Sequence, residues 1–305
     1  MMKPNFFILG APKCGTTAMS EYLREHPNIF MSHPKEPKYF DRDLAYYLRW
    51  TPKTYLDLFS AADPRKHLAA GEASVTYLYS HRAVEGILEF NPDAKFIVML
   101  RDPVELVRSW HSQQVYTGQE DLVDFERAWR AQGDRKSGAQ IPFACHEVKM
   151  LFYFELGKLG EQVERLLAKV DRRKVLFLFF EDFAADPRKS YEQVLVFLGL
   201  PPDARTDFPR INEQKTVRWP LGQRILHYLL DRGSRVKSAL GMARFETGIF
   251  RGLMRLNSND SKRESIREEF ERELRDVFRE DVKKLSALLG RDLSHWTSGN
   301  KDGVN

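Results

Sequence analysis

The first seventeen residues constrain this chain more than any other stretch. Phe6 to Leu9 is an apolar run that reads as a buried strand. It ends in the turn Gly10-Ala11-Pro12-Lys13-Cys14-Gly15, and after Thr16-Thr17 the segment Ala18 to Arg24 has helical spacing and no breaker. Strand, tight turn and helix start in that order form a phosphate-binding device. Main-chain N–H groups converge on the anion and the helix dipole favours it. The spacing is Gly-x4-Gly-Thr-Thr, close to the nucleotide-triphosphatase loop Gly-x4-Gly-Lys-[Ser/Thr]. Thr16 stands where that loop has its lysine, and Lys13 lies inside the turn instead. The loop is therefore expected to cradle a phosphate-like group while placing its cation elsewhere.

Two further segments carry chemistry. In Lys95-Phe96-Ile97-Val98-Met99-Leu100-Arg101-Asp102-Pro103, the apolar run is too short for a helix and rich in β-formers. Arg101 then emerges at the carboxyl end of a strand, where open α/β sheets bind ligands. Asp102 before Pro103 reads as the cap of a new helix, with Ser109 about two turns into it. Taken alone, Arg101 also fits a surface ion pair with Asp102 or Glu105. The other segment is Ser32-His33-Pro34-Lys35-Glu36-Pro37-Lys38-Tyr39-Phe40, where Glu36 taken alone reads better as the partner of Lys35 or Lys38 on a solvated loop than as a base.

Together the three segments resemble the sulfotransferases that use 3′-phosphoadenosine 5′-phosphosulfate (PAPS) as donor. Ala11 to Thr17 resembles their 5′-phosphosulfate loop, and Arg101 with Ser109 resembles their 3′-phosphate site. Lys35 to Phe40 resembles the Lys-Glu-Pro-x-[Phe/Tyr]-Phe box of bacterial members related to the heparan and Golgi carbohydrate enzymes. The resemblance implies an α/β fold, a P-loop-like three-layer sandwich whose central parallel sheet of about five strands is flanked by helices. It implies in-line transfer of a sulfuryl group from PAPS to a hydroxyl or amine, with release of 3′,5′-ADP. Lys13, Cys14, Gly15, Thr16, Thr17, Arg101 and Ser109 would bind the donor, Lys13 would also stabilise developing charge, and Glu36 would be the base. No metal is expected, since cations already hold the leaving phosphate; Asp102 imitates a metal-binding carboxylate but reads as a cap. The chain departs from the heparan pattern at one point. Those enzymes have Glu-Lys-Thr where this chain has Glu72-Ala73-Ser74, so either Lys13 serves alone or a cation such as Lys38 substitutes.

Two other readings compete. A P-loop small-molecule kinase would need lysine at position 16 and a Mg²⁺-binding carboxylate. A catalytically silent nucleotide-binding protein would not need Lys13, Glu36, Arg101 and Ser109 together. His33 and His111, with Lys38, are candidates for the acceptor side, although lone histidines more often belong to the scaffold. No Lys-x-His-x-Pro box of the animal cytosolic enzymes occurs, and no histidine pair has metal-ligand spacing.

The remaining sequence reads as scaffold and a basic extension. Strands are expected near 5–10, 28–31, 67–73, 95–101 and 174–180, alternating with helices, within a single domain over 1–305. Phe125 to Arg130 reads as a short helix in an otherwise loop-like stretch from Tyr116 to Gln140. Ile266 to Leu289 reads as an amphipathic helix with Phe270, Leu274, Val277, Phe278, Val282, Leu285 and Leu289 on one face. A basic subregion of helices and loops is expected over 203–262; residues 205–263 hold thirteen Lys and Arg against five Asp and Glu. In the family a loop here closes on the donor, which makes Lys215 and Arg218 further donor-binding candidates. An anionic acceptor or a membrane surface is a competing use of that charge, the membrane being less favoured; most of the other cations read as a solvated basic face over ordinary helices. Nucleic acid is not expected, since no recognition module accompanies the basic residues.

The first strand begins near residue 5 and no apolar stretch is long enough to span a bilayer, so the expectation is a cytoplasmic, bacterial enzyme. Two cysteines make no disulfide framework. Cys14 reads as a small side chain that fits a tight turn; the alternative is that the helix N-terminus lowers its pKa and makes it sensitive to oxidation. The acceptor stays open among carbohydrate, lipid and other small hydroxyl compounds, as does the oligomeric state.

Overall fold

Long uninterrupted apolar runs become strands when helices cover both sheet faces, because no position then faces water. In a computed structural model, which describes residues 2–45, 50–211, 216–217, 258–259 and 265–298, three largely apolar runs and two shorter or small-residue segments form one sheet. They are β1 (Phe6–Gly10), β2 (Ile29–Met31), β3 (Ala69–Ala73), β4 (Lys95–Leu100) and β5 (Val175–Phe179). The order is β2-β3-β1-β4-β5, and every pairing is parallel. All residues of β1 and β3 are buried. In β3 the small residues have a packing reason: a Cβ on Gly71 would lie 2.1 Å from the ring of Phe6. The α/β fold with a five-stranded parallel sheet is the one expected.

The crossovers decide where a ligand can sit. After β1 the chain enters α1 (Thr16–Arg24) and returns at β2, then passes α2 (Pro52–Asp57) into β3. From β3 it goes through α3 (Ala83–Phe90) and over β1 to β4, and then enters α4 (Pro103–Tyr116). Consecutive connections therefore leave in opposite directions at β1 and β4. At such a switch point the loops beyond the carboxyl ends diverge and leave a crevice. The Gly10–Gly15 turn and Arg101 both sit at those ends.

By its internal contacts the chain divides into two units. The first, Met1–Leu106 with Leu156–Ile211 and Arg272–Asn305, holds the whole five-stranded sheet. The second comprises Val107–Glu155 and Asn212–Glu271. Within the second unit Asp124 caps the helix Phe125–Arg130 by accepting the Arg127 N–H at 2.8 Å. A two-residue antiparallel ribbon pairs Thr216–Val217 with Ser258–Asn259. Lys215 and Arg218 lie outside the described residues, as does most of the basic subregion.

Two expectations fail locally. The stretch Tyr116 to Gln140 is not loop around one helix: Gln132–Lys136 is also helical, and Arg135 and Glu120 are each 1% exposed. Their guanidinium and carboxylate meet in two bonds of 2.7 Å. Polar composition suggests surface, but a fully paired ion pair can be buried. In the helix Glu268–Leu289, Phe270, Leu274, Phe278, Val282 and Leu285 are buried as expected, whereas Val277 is 40% exposed. It lies one residue, about 100° of helix turn, off the stripe through Leu274 and Phe278. Among the described residues no helix is long and apolar enough to cross a membrane.

Candidate active site

The turn after β1 exists because two glycines allow it. Gly10 has φ +129°, and a Cβ there would lie 2.4 Å from the Val75 carbonyl oxygen; Gly15 has φ +84°, and a Cβ there would lie 2.8 Å from the Phe183 ring. Lys13 between them is also left-handed, at φ 62°. Main-chain bonds fix the turn to its neighbours: the Ala11 N–H donates to Met99 at 2.7 Å. Arg101 Nη1 donates to the Lys13 carbonyl at 3.1 Å. Helix α1 opens at Thr16 with Gly15 as its cap, with no side-chain acceptor on its first turn and no acid in it. Its leading N–H groups thus keep their capacity for an anion. Thr16 is buried and Thr17 half-buried.

The structure decides between the two readings of Cys14. Burial pushes its pKa up to about 12, against the lowering effect of Arg101 and Lys13. The thiol stays protonated and donates to the Pro12 carbonyl at 3.4 Å. It fills the turn as a small side chain, and its burial opposes activation of the thiol.

Arg101 leaves the end of β4 with its side chain 15% exposed. Its guanidinium lies 4.4 Å from the centre of the Phe180 ring, and Nη2 reaches Glu105 at 3.4 Å. Asp102 does not pair with it. One Asp102 oxygen caps α4 by accepting the Val104 N–H at 2.8 Å, and the other takes Arg275 at 3.1 Å. Ser109 is buried on α4, in the second unit. His111, on the same helix, is 4% exposed. Its Nε2 lies 2.8 Å from the Leu122 carbonyl, its ring packs on Phe125 and Tyr153, and burial holds its pKa below the usual histidine value. That placement gives His111 scaffold work rather than a free ring for an acceptor.

The segment bearing Glu36 runs along the carboxyl end of β3. Ser32 N–H donates to Gly71 and Glu36 N–H to Ala73, each at 3.0 Å, and Lys38 N–H donates to Ser74 Oγ at 3.1 Å. Glu36 and Lys38 are left-handed, at φ 60° and 53°, a conformation non-glycine residues adopt only when held. Lys35 Nζ lies 2.8 Å from one Glu36 oxygen and Lys38 Nζ 3.9 Å from the other. Burial alone would raise the Glu36 pKa, but the charges of Lys35, Lys38 and Lys13 outweigh it and hold it below the usual value. Glu36 is therefore a carboxylate at neutral pH, and Lys13 is near enough to act on it. Lys38 is attached next to Ala73, where the heparan pattern has its lysine. His33, at the start of the segment, is exposed.

Sequence reasoning missed Glu72. It is fully buried, accepts Tyr55 Oη at 2.5 Å and Ser74 Oγ at 2.8 Å, and is also bonded by Tyr77. The available signal was an acid inside the small apolar run Ala69-Ala70-Gly71-Glu72-Ala73.

A family model described as the sulfotransferase domain matches residues 3–219. The chain belongs to the sulfotransferase family. Sulfuryl transfer, with PAPS as the general donor, is the chemistry of that family. The sulfotransferase fold is shared with the crystal structure of a sulfotransferase from Alicyclobacillus acidocaldarius, at a TM-score of 0.69 and 25% identity over 97% of this chain and 99% of that one. Human carbohydrate sulfotransferase 15 is 26% identical over 294 residues, covering 73% of this chain and 50% of that protein. Mouse heparan sulfate glucosamine 3-O-sulfotransferase 3B1 is 29% identical over 199 residues, covering 65% and 46%. The chain thus spans about half the length of the curated relatives it matches.

Proposed function

We propose that this sulfotransferase moves a sulfuryl group from PAPS to a carbohydrate hydroxyl and releases 3′,5′-ADP. The observation that carries the reading is the meeting, at the carboxyl ends of β1, β3 and β4, of an uncapped helix start, Lys13, Arg101 and an ionised Glu36. The names of the carbohydrate and heparan relatives support a sugar as acceptor.

The residues present fit the donor: Lys13 and Arg101 bring two cations to the turn that opens α1, whose start has no side-chain cap and no acid in its first turn. PAPS would supply a sulfuryl group already attached to a phosphate leaving group. The N–H groups of Gly15, Thr16 and Thr17, with both threonine hydroxyls, would hold the 5′-phosphate. Arg101 would hold the 3′-phosphate through its planar fork, in exchange for its present bonds to Glu105 and the Lys13 carbonyl. Ser109, Lys215 and Arg218 enter this reading through the sequence resemblance. Lys13 would stabilise charge that grows during transfer, and Glu36 would take the proton from the acceptor hydroxyl. Lys38 would offset the lysine absent at Ala73.

Calorimetry with 3′,5′-ADP tests the donor site, beside ATP with magnesium. Tight binding that needs no magnesium is expected, weakened about 10- to 100-fold in Arg101→Ala through loss of charge-assisted bonds. Preference for ATP with magnesium would instead favour a kinase. Lys13→Ala is expected to lower kcat by about 10²- to 10³-fold while the KM for PAPS changes only a few-fold, since its charge matters most in the transition state. Steady-state kinetics with labelled PAPS separate the two parameters. Equal losses in both would place Lys13 in ground-state binding.

A further inference from the structure

The base proposed above sits in a left-handed conformation that something must hold. Its own N–H is tied to Ala73, and beyond Pro37, which has no N–H, Lys38, Tyr39 and Phe40 donate their N–H groups to side chains. Lys38 donates to Ser74 Oγ at 3.1 Å; Tyr39 and Phe40 donate to Tyr77 Oη at 2.9 and 3.3 Å. Both hydroxyls in turn bond Glu72, as does Tyr55 from α2.

We propose that Glu72 is a positioning residue for Glu36: as a carboxylate it collects the hydroxyl protons of Ser74 and Tyr77 and so aims their lone pairs at the main chain of Lys38, Tyr39 and Phe40. The reason is the count of donors and acceptors. An ionised carboxylate only accepts, whereas each hydroxyl has one proton and lone pairs to spare. With Glu72 ionised, all three hydroxyls donate inward and two of them remain free to accept the segment's N–H groups. A protonated Glu72 must donate its proton to a hydroxyl; given to Ser74 or Tyr77 it competes with a main-chain N–H for that oxygen, whereas Tyr55, which accepts no segment N–H, takes it without that competition. The inference rests on the sulfotransferase reading for its catalytic meaning, though not for its geometry.

The surroundings make this proton matter. The groups facing Glu72 are Tyr55, Tyr77, Ser74 and Asp41. Burial raises the Glu72 pKa to about 7 despite the bonds from Tyr55, Tyr77 and Ser74, and the charge of Asp41 pushes in the same direction. Asp41 itself accepts Thr76 Oγ at 2.6 Å. The tyrosines have raised pKa values, from burial first and from Glu72 next, so they keep their protons and Glu72 is the group that changes. Above about pH 7 Glu72 is a carboxylate and all three hydroxyls donate to it; as pH falls through that value the hold on the segment weakens to the extent that its proton goes to Ser74 or Tyr77.

Amide hydrogen exchange reads the hold directly and needs no acceptor. In the wild type, protection of the Lys38, Tyr39 and Phe40 amides is expected to fall as pH drops from about 8 to about 6, after correction for intrinsic exchange. In Glu72→Gln all three should lose protection about tenfold or more at pH 8 and lose the pH step. Tyr77→Phe should release Tyr39 and Phe40 but not Lys38, and Ser74→Ala should release Lys38 alone; these two carry the test should Glu72→Gln not fold. With PAPS and de-O-sulfated heparin, kcat of Glu72→Gln should fall more than about tenfold with 3′,5′-ADP affinity within about twofold of wild type, and its rate should no longer change through neutral pH. Unchanged protection in the variants, or a wild type without the neutral step, would overturn the inference. Failure of the sulfotransferase reading would show separately, as a wild type that does not bind 3′,5′-ADP.

Discussion

Glu36→Gln is expected to lower sulfuryl transfer by about 10²- to 10⁴-fold, the range for removal of a positioned general base. Glutamine keeps the size of the side chain and the Glu36 N–H bond to Ala73, so the segment should keep its path. It cannot take a proton from a hydroxyl, and that is the loss expected to dominate. Removing the carboxylate also leaves Lys35, Lys38 and Lys13 without the negative charge that now balances them. More positive potential near the donor loop should not weaken anion binding, so 3′,5′-ADP affinity is expected to hold or rise slightly. The pH dependence has a definite sign. A base works deprotonated, so activity falls as pH drops through its pKa, and the three lysines place that limb below the ordinary carboxylate range of about 4.3. A limb near neutrality would belong to Glu72 instead. Transfer and 3′,5′-ADP titrations on the same preparation check both halves. Full activity in Glu36→Gln would remove Glu36 as the base and leave exposed His33 the next candidate.

The parts of this molecule legible in sequence share a physical cause. Phe96 to Leu100 is a strand because a parallel strand covered on both faces needs apolar residues at every position, and that run fits no polar alternation or helix length. Asp102 before Pro103 is a cap for equally local reasons. What escaped reading depends on partners far along the chain. Glu72 and Tyr55 are seventeen residues apart and Arg135 and Glu120 fifteen; the apolar run around Glu72 signals burial but not its partners, and the polar stretch around Glu120 signals neither. The same limit left two readings of Cys14 open. A thiol at a helix start can be activated or can simply fill the turn; packing against the core decides, and burial is a property of neighbours rather than of spacing. The left-handed conformations of Lys13, Glu36 and Lys38 were equally hidden, since none of the three is glycine.

Arg135→Ala is expected to destabilise the second unit by about 3–5 kcal/mol, the cost typical of breaking a buried ion pair from one side. Both side chains are fully inaccessible. Glu120 accepts two bonds from Arg135 and a third from Tyr153 Oη, each at 2.7 Å. Its other backbone work is local: it takes the N–H groups of Asp121 and Leu122 at 2.9 Å. Arg135 Nε also reaches the Gln140 carbonyl at 3.2 Å, tying down the chain after its helix. Alanine removes the guanidinium and leaves a carboxylate that water cannot reach. Burial would raise the Glu120 pKa, and at present the bonds from Arg135 and Tyr153 outweigh that and hold it low. The sign for stability follows. A carboxylate lowered on folding contributes above its unfolded value of about 4.3 and loses that contribution as pH falls through its folded value. In Arg135→Ala the shift should reverse, so the variant should be weakest at neutral pH and recover in part on acidification. Urea unfolding followed through Trp110 and Trp129, both in this unit, measures the difference. A paired replacement, Arg135→Met with Glu120→Leu, should recover most of the loss, because it leaves no unpaired charge. A loss below about 1 kcal/mol in the single variant would be the value of an exposed pair and would mean that water reaches Glu120.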